Sequence, residues 1–191
     1  MRHRELAYKF GELPPFGPIT PTRLLTLLGD QRELFLQGRR CENQGLGIGA
    51  FGYYRRVVDH QKSRILDEII KVAQKLRAGP EQLTALTAAK AETQFSKSVF
   101  LVKDAIPQSL LIKGSHNPLT LLYAALSSGL HEQPDEVCLD LARSIRLVLD
   151  ELAERLSAAL KNDAELDAAV HKLLQLKAPD DILQSPDRDP Q

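Results

Sequence analysis

Residues 45–76, GLGIGAFGYYRRVVDHQKSRILDEIIKVAQKL, carry the longest unbroken helical periodicity in the chain. Phe51, Tyr54, Val58, Ile65, Ile69, Val72 and Leu76 recur at steps of three, four or seven. At about 100° per residue that places them on one side of a helix, which is expected to face a core. Arg56, His60, Arg64, Asp67 and Lys71 project from the opposite side, and Arg55 and Lys62 flank the apolar stripe. Gly47-Ile48-Gly49-Ala50-Phe51-Gly52 matches GxGxxG, but a dinucleotide site needs a hydrophobic strand before the glycines and an acidic residue about twenty positions beyond. The preceding RRCENQ is polar and helical in character. The glycines are therefore read as points where two helices approach closely, or as a kink between the segments beginning at Gln31 and Phe51.

Working outward, Arg77-Ala78-Gly79-Pro80 stops the long helix. Upstream, Thr20-Pro21 opens a short helix closed by Gly29, and Asp30 caps a further helix from Gln31 to about Asn43. Downstream, residues 81–102 read as one looser helix, and Asp104 to Ile112 as a short one ending at Gly114. Asn117-Pro118 restarts the chain as cap and first helical residue, and Gly129 closes that element. From Pro134-Asp135-Glu136, acids suited to a helix N-terminus, a second long helix runs to about Leu160 on a stripe of Cys138, Leu141, Ile145, Val148, Leu152, Leu156 and Ala159. Two long amphipathic helices joined by shorter ones predict an all-α bundle of four or five helices. The expected organisation is an N-terminal arm with a short helix over residues 1–29, a helical domain over 30–162, and a short helix with a disordered acidic tail over 163–191.

The composition agrees with that fold class. Trp is absent, aromatics are 5%, and no strand-like alternation recurs at hairpin spacing. Lys plus Arg and Asp plus Glu are both 25, so the chain lacks the overall positive charge of a typical nucleic-acid binder. Residues 1–77 nevertheless hold 14 basic and 8 acidic residues, a net +6, and residues 78–191 hold 11 and 17, a net −6. A basic face meeting phosphate or an acidic partner is one reading of this asymmetry, and complementary packing or solubility is the other. Cys41 and Cys138 stand apart with no CxxC or Cys/His cluster, so neither structural zinc nor another cofactor is expected. The start MRHRELAYKF lacks an apolar h-region, and the longest apolar run, Leu121 to Leu126, is too short to span a bilayer, so a reducing cytoplasm is the expected compartment.

Two stretches taken together, GAFGYYRRVVDHQKSRILDEIIKVAQKL at 49–76 and LSSGLHEQPDEVCLDLARSIRLVLDEL at 126–152, resemble the HEPN group, the higher eukaryotes and prokaryotes nucleotide-binding domains. The resemblance is to uncharacterised bacterial members and covers roughly residues 30–160. It implies a fold of four or five helices that dimerises, and in many members a metal-independent ribonuclease of toxin, defence or stress systems. The family signature is an Arg followed, after four to six residues, by a His. Arg55 and His60 meet that spacing, which would make His60 a general acid or base and Arg55 or Arg56 the group that stabilises a phosphate oxyanion.

On an ideal helix Arg55 and His60 lie about 140° apart, whereas Arg56 and His60 share a face one turn apart. His131-Glu132 is the alternative catalytic position, although Ala124, Ala125 and Leu126 stand where its Arg would be. Arg39, Arg40, Tyr53 and Arg64 are candidates for contact with RNA, the arginines through phosphate and the tyrosine by stacking. Each of these positions also has a plain structural reading, as a solvated helix face or a turn. Three functions follow as expectations: a helical module that self-associates and binds RNA or a partner protein, a metal-independent endoribonuclease, and a structural dimerisation domain without catalysis.

Overall fold

The structure, a computed structural model, describes residues 19–127, 133–161 and 168–173. Up to residue 160 they form seven α-helices, and no strand occurs among the described residues, so the all-α expectation holds with more helices than the four or five foreseen. They are α1 (Thr22–Leu28), α2 (Arg32–Asn43), α3 (Gly47–Lys75), α4 (Pro80–Ala91), α5 (Phe95–Leu101), α6 (Pro118–Ser127) and α7 (Asp135–Leu160). Residues 1–160 form one compact unit and 161–191 another, in which residues 168–173 are helical. The expected arm before residue 19, the turn at 128–132 with Gly129 and His131, and the acidic tail after residue 173 lie outside the described residues.

The central element is α3, which packs chiefly on α7 and α2 and then on α4. Phe51, Tyr54, Val58, Ile65, Ile69 and Val72 are all buried, as their spacing requires. Leu76 is not: the helix stops at Lys75, Arg77 turns the chain at φ +55°, and Leu76 is left 55% exposed. Val57, Leu66 and Ala73 are buried as well, because α3 has neighbours on two flanks and its apolar stripe is correspondingly wide. Full burial of each such aliphatic side chain stabilises the fold by about 1.5–3 kcal/mol. Leu24, Leu27 and Leu28 of α1, grouped by sequence with the arm, join the same core.

The N-terminus of α3 has no side-chain cap of its own. Its cap comes from α7: the two carboxylate oxygens of Asp135 accept the Gly47 and Ile48 N–H groups at 2.9 and 2.8 Å. A negative group there satisfies two orphan donors and suits the positive end of the helix. Only glycine fits at position 47, where a Cβ would overlap the Asp135 carbonyl oxygen. Close helix approach at the glycines occurs on two sides, Gly47 against α7 and Gly49 against Cys41 of α2, whose Sγ would lie 3.1 Å from an added Cβ. The α2–α3 contact tightens further at Gly38, where a Cβ would come within 2.6 Å of the Tyr54 ring.

Three local expectations are corrected. The segment 81–102 is two helices, α4 and α5, separated at Glu92–Gln94. Lys62, buried in α3, holds that break by donating from Nζ to the Glu92 carbonyl and to Ser98 Oγ. The helix foreseen over 104–112 is a 3-10 turn, Gln108–Leu110, followed by an antiparallel bridge between Ile112 and His116, since Pro107 biases Ile106 away from helical backbone. Asp30 caps nothing: it lies in a 3-10 turn, Gly29–Gln31, and accepts a bond from Gln61 Nε2 at 2.7 Å. Asn117 does cap α6, its Oδ1 accepting the Leu119 N–H at 2.9 Å.

Candidate functional site

The polar residues of α3 divide by rotation around the helix. Tyr53, Arg56, His60 and Arg64 follow one another at steps of three, four and four, within a sector of about 80°. Arg56 is exposed and makes no hydrogen bond or ion pair among the described residues. His60 is exposed, and its Nδ1 meets Gln31 Oε1 at 3.1 Å. Tyr53 is half-buried, wedged by its Cβ against Gly38 of α2. Arg40 stands exposed on α2. Arg64 turns away toward α1, donating from Nη2 to the Thr26 carbonyl at 3.0 Å and lying over Gly29, whose φ of +52° ends that helix. Arg56, His60 and Tyr53 therefore share an outer surface with α2 beside it, and Arg64 borders a different groove.

Arg55 belongs to another face. Its Nη1 donates to the Leu126 carbonyl at the end of α6 at 3.1 Å, and its Nε lies 4.0 Å from Asp59 Oδ2. Burial pushes the Asp59 carboxyl up, while Arg55 and His60 pull it back. Arg55 and His60, the pair at family spacing, are not brought together. Arg56 and His60 are neighbours on one face, and nothing is described of His131.

Arg39 is also removed from the surface. It is 7% exposed and belongs to a polar cluster inside the α2–α3–α7 junction. Glu42 is the hub: it accepts bonds from Tyr54 Oη at 2.6 Å, from Arg146 Nε at 3.0 Å and from Arg39 Nη1 at 3.2 Å. Arg146 then reaches Asp150 Oδ2 at 3.3 Å, and Asp150 Oδ1 is buried without a partner among the described residues. Burial raises the Glu42 carboxyl, but the bonds from Arg146 and Tyr54 outweigh it and the net direction is down. For Asp150 burial wins over Arg146, and its carboxyl is raised. Tyr54 is raised by burial and by Glu42, so its hydroxyl remains a donor. Sequence reasoning missed this cluster. Arg39–Glu42 and Arg146–Asp150 are visible as pairs three and four residues apart, but nothing local shows that the two pairs face each other.

Chemically, the outer face of α3 can neutralise a phosphate with Arg56, stack a base on Tyr53 and exchange a proton at His60, while Arg40 adds an exposed cation on α2, away from that helix's buried side. Gln31 and Asp59 lie beside His60, whose imidazole is an exposed acid–base group on this face. No group of three or more metal-ligating side chains occurs among the described residues. No described helix is long and apolar enough to cross a membrane. No family model, curated protein or solved structure matches the chain.

Proposed function

We propose that this chain is a HEPN-like helical module of the bacterial cytoplasm that binds single-stranded RNA through Tyr53 and Arg56 of α3 with Arg40 of α2, in a defence or stress role. One observation carries the reading. Arg56 and Arg40 are exposed cations without an internal partner among the described residues, and they lie on the two helices that meet at a tyrosine. Phosphate contacts of this kind give weak, salt-dependent affinity, and an aromatic face adds stacking that tolerates any base. The test is titration of a short single-stranded RNA at several salt concentrations. Binding that weakens steeply with salt, and weakens further in the Arg40→Ala/Arg56→Ala double variant, supports the module. No binding at low salt removes it.

A second reading, metal-independent endoribonuclease, is favoured by Arg56 and His60 standing one turn apart and exposed. Cleavage would then survive a chelator, spare DNA and leave a cyclic phosphate, and His60→Ala would lower the rate by about 10²- to 10⁴-fold while leaving affinity intact. Affinity without cleavage supports the binding module alone. Self-association is part of the same proposal. Leu46 and Ile48 at the start of α3, each 50% exposed, and Val137 at the start of α7, 40% exposed, are large apolar side chains left in solvent where the two N-termini join. Light scattering that returns only the 21.3 kDa monomer at micromolar concentration removes that part.

A further inference from the structure

A cavity of about 290 Å³ opens between α1 and α7 beside α3. Leu27, Ala153 and Leu156 form its apolar wall, each at most 6% exposed. The charged groups at its mouth differ in how they are neutralised. Arg23 is ion-paired with Glu154, and Glu68 with Lys71 at 2.7 Å. Arg64 bonds only to a neutral carbonyl, that of Thr26, and no carboxylate lies within ion-pair distance of it among the described residues. A guanidinium has five N–H donors, so a single carbonyl leaves most of them available.

We infer that this cavity binds a small monoanionic carboxylate with a compact apolar body, the carboxylate on Arg64 and the body against Leu27 and Leu156. The charge count sets the sign of the ligand. The two internal pairs cancel and Arg64 remains without a carboxylate in ion-pair contact, Asp30 acting on it only at longer range, so an anion gains an attraction, an alcohol leaves the cation unused and an amine is repelled. The volume sets the size. It lies at the lower edge of small-molecule sites, and at about 30 Å³ per water-sized group it holds roughly ten heavy atoms. A planar guanidinium suits a carboxylate by a two-pronged bond, and Arg64, being exposed, is open to one. The site is separate from the Arg56–His60 row and stands whether or not that row binds RNA.

The experiment is calorimetric titration of the full chain with octanoate, octanol and octylamine at low salt. Octanoate is expected to bind saturably at one per chain, and the alcohol and amine at least tenfold more weakly. Arg64→Gln should weaken octanoate at least tenfold, and Ser157→Leu, which fills the cavity from α7 and leaves the cation in place, should do the same. Should Arg64→Gln fail to fold, the Ser157→Leu comparison decides. No saturation up to about 10 mM octanoate, equal binding of octanol, or unchanged affinity in the folded variants overturns the inference.

Discussion

A methyl group added at Gly47 overlaps the Asp135 carbonyl oxygen, whereas the same group at Gly52 meets nothing within 4 Å. Both glycines lie in α3, and the generic cost of helical glycine, about 1 kcal/mol relative to alanine, applies to each. Gly52→Ala recovers that cost and should raise the melting temperature by about 3 °C. Gly47→Ala meets backbone that cannot yield, at a cost of about 3 kcal/mol, and should lower it by about 10 °C. Thermal melts of the two single variants check both signs; equal shifts would mean that α3 does not approach α7 as described. Asp150 offers a test by pH. Its carboxyl is raised above the ordinary 3.8, so the unfolded chain ionises first as pH climbs. The contribution of Asp150 to stability is fully present below the unfolded value and is lost as pH rises through the folded one. Asparagine never ionises. The melting temperature of Asp150→Asn relative to the parent should therefore climb from about pH 3 upward and level off once native Asp150 is ionised. Glu42, whose lowered carboxyl works in the opposite direction, shares Arg146 with Asp150 and adds to the raising of its carboxyl, so the difference reports the coupled pair. A difference that is flat across this range would show an ordinary Asp150.

At the scale of the helix, two arginines adjacent in sequence should behave differently. Arg56→Ala removes an exposed cation and should reduce the logarithmic salt slope of RNA binding by about 0.7, with little change in melting temperature. Arg55→Ala removes the donor that holds the end of α6, so it should lower the melting temperature and leave the slope unchanged. Paired melts and salt titrations separate the two; a slope lost only in Arg55→Ala would move the interface to the α6 side. The rotation that divides Arg55 from Arg56 was legible in the sequence, as were the two long helices and the Asn117 start of α6. These features are local, written in side chains within a turn or two of one another. The burial of Arg39 was not legible, because the partners that make it tolerable come together from α2, α3 and α7, with Arg146 lying 104 positions from Glu42. Nor was the break between α4 and α5, where Glu92-Thr93-Gln94 carries neither proline nor glycine and depends on Lys62 reaching over from α3. The cavity beside α1 was invisible for the same reason, since its walls come from three separated segments.

Across the whole compact unit, the basic and acidic halves of the chain are folded onto each other. Arg23 with Glu154, Lys90 with Asp67 and Arg146 with Glu42 are ion pairs between residues 1–77 and residues beyond them. Only the first sets a cation of the basic half against an acid of the other half; the second and third engage acids of the basic half, so these contacts do not reduce its +6 balance. The Asp135 cap bears on how fast such a molecule assembles. The groups it joins are 88 and 87 positions apart, so the central helix receives the cap at its beginning only after α7 has docked. Closing a loop of that length costs about 4 kcal/mol of chain entropy before any contact repays it. Most helical bundles are rich in local contacts and fold quickly, and this one carries a long-range closure at its centre. Refolding should therefore be slower than helix content alone suggests. If the closure forms after the rate-limiting barrier, Asp135→Ala will leave the refolding rate untouched and accelerate unfolding, and stopped-flow chevrons of the two proteins will differ in the unfolding arm alone.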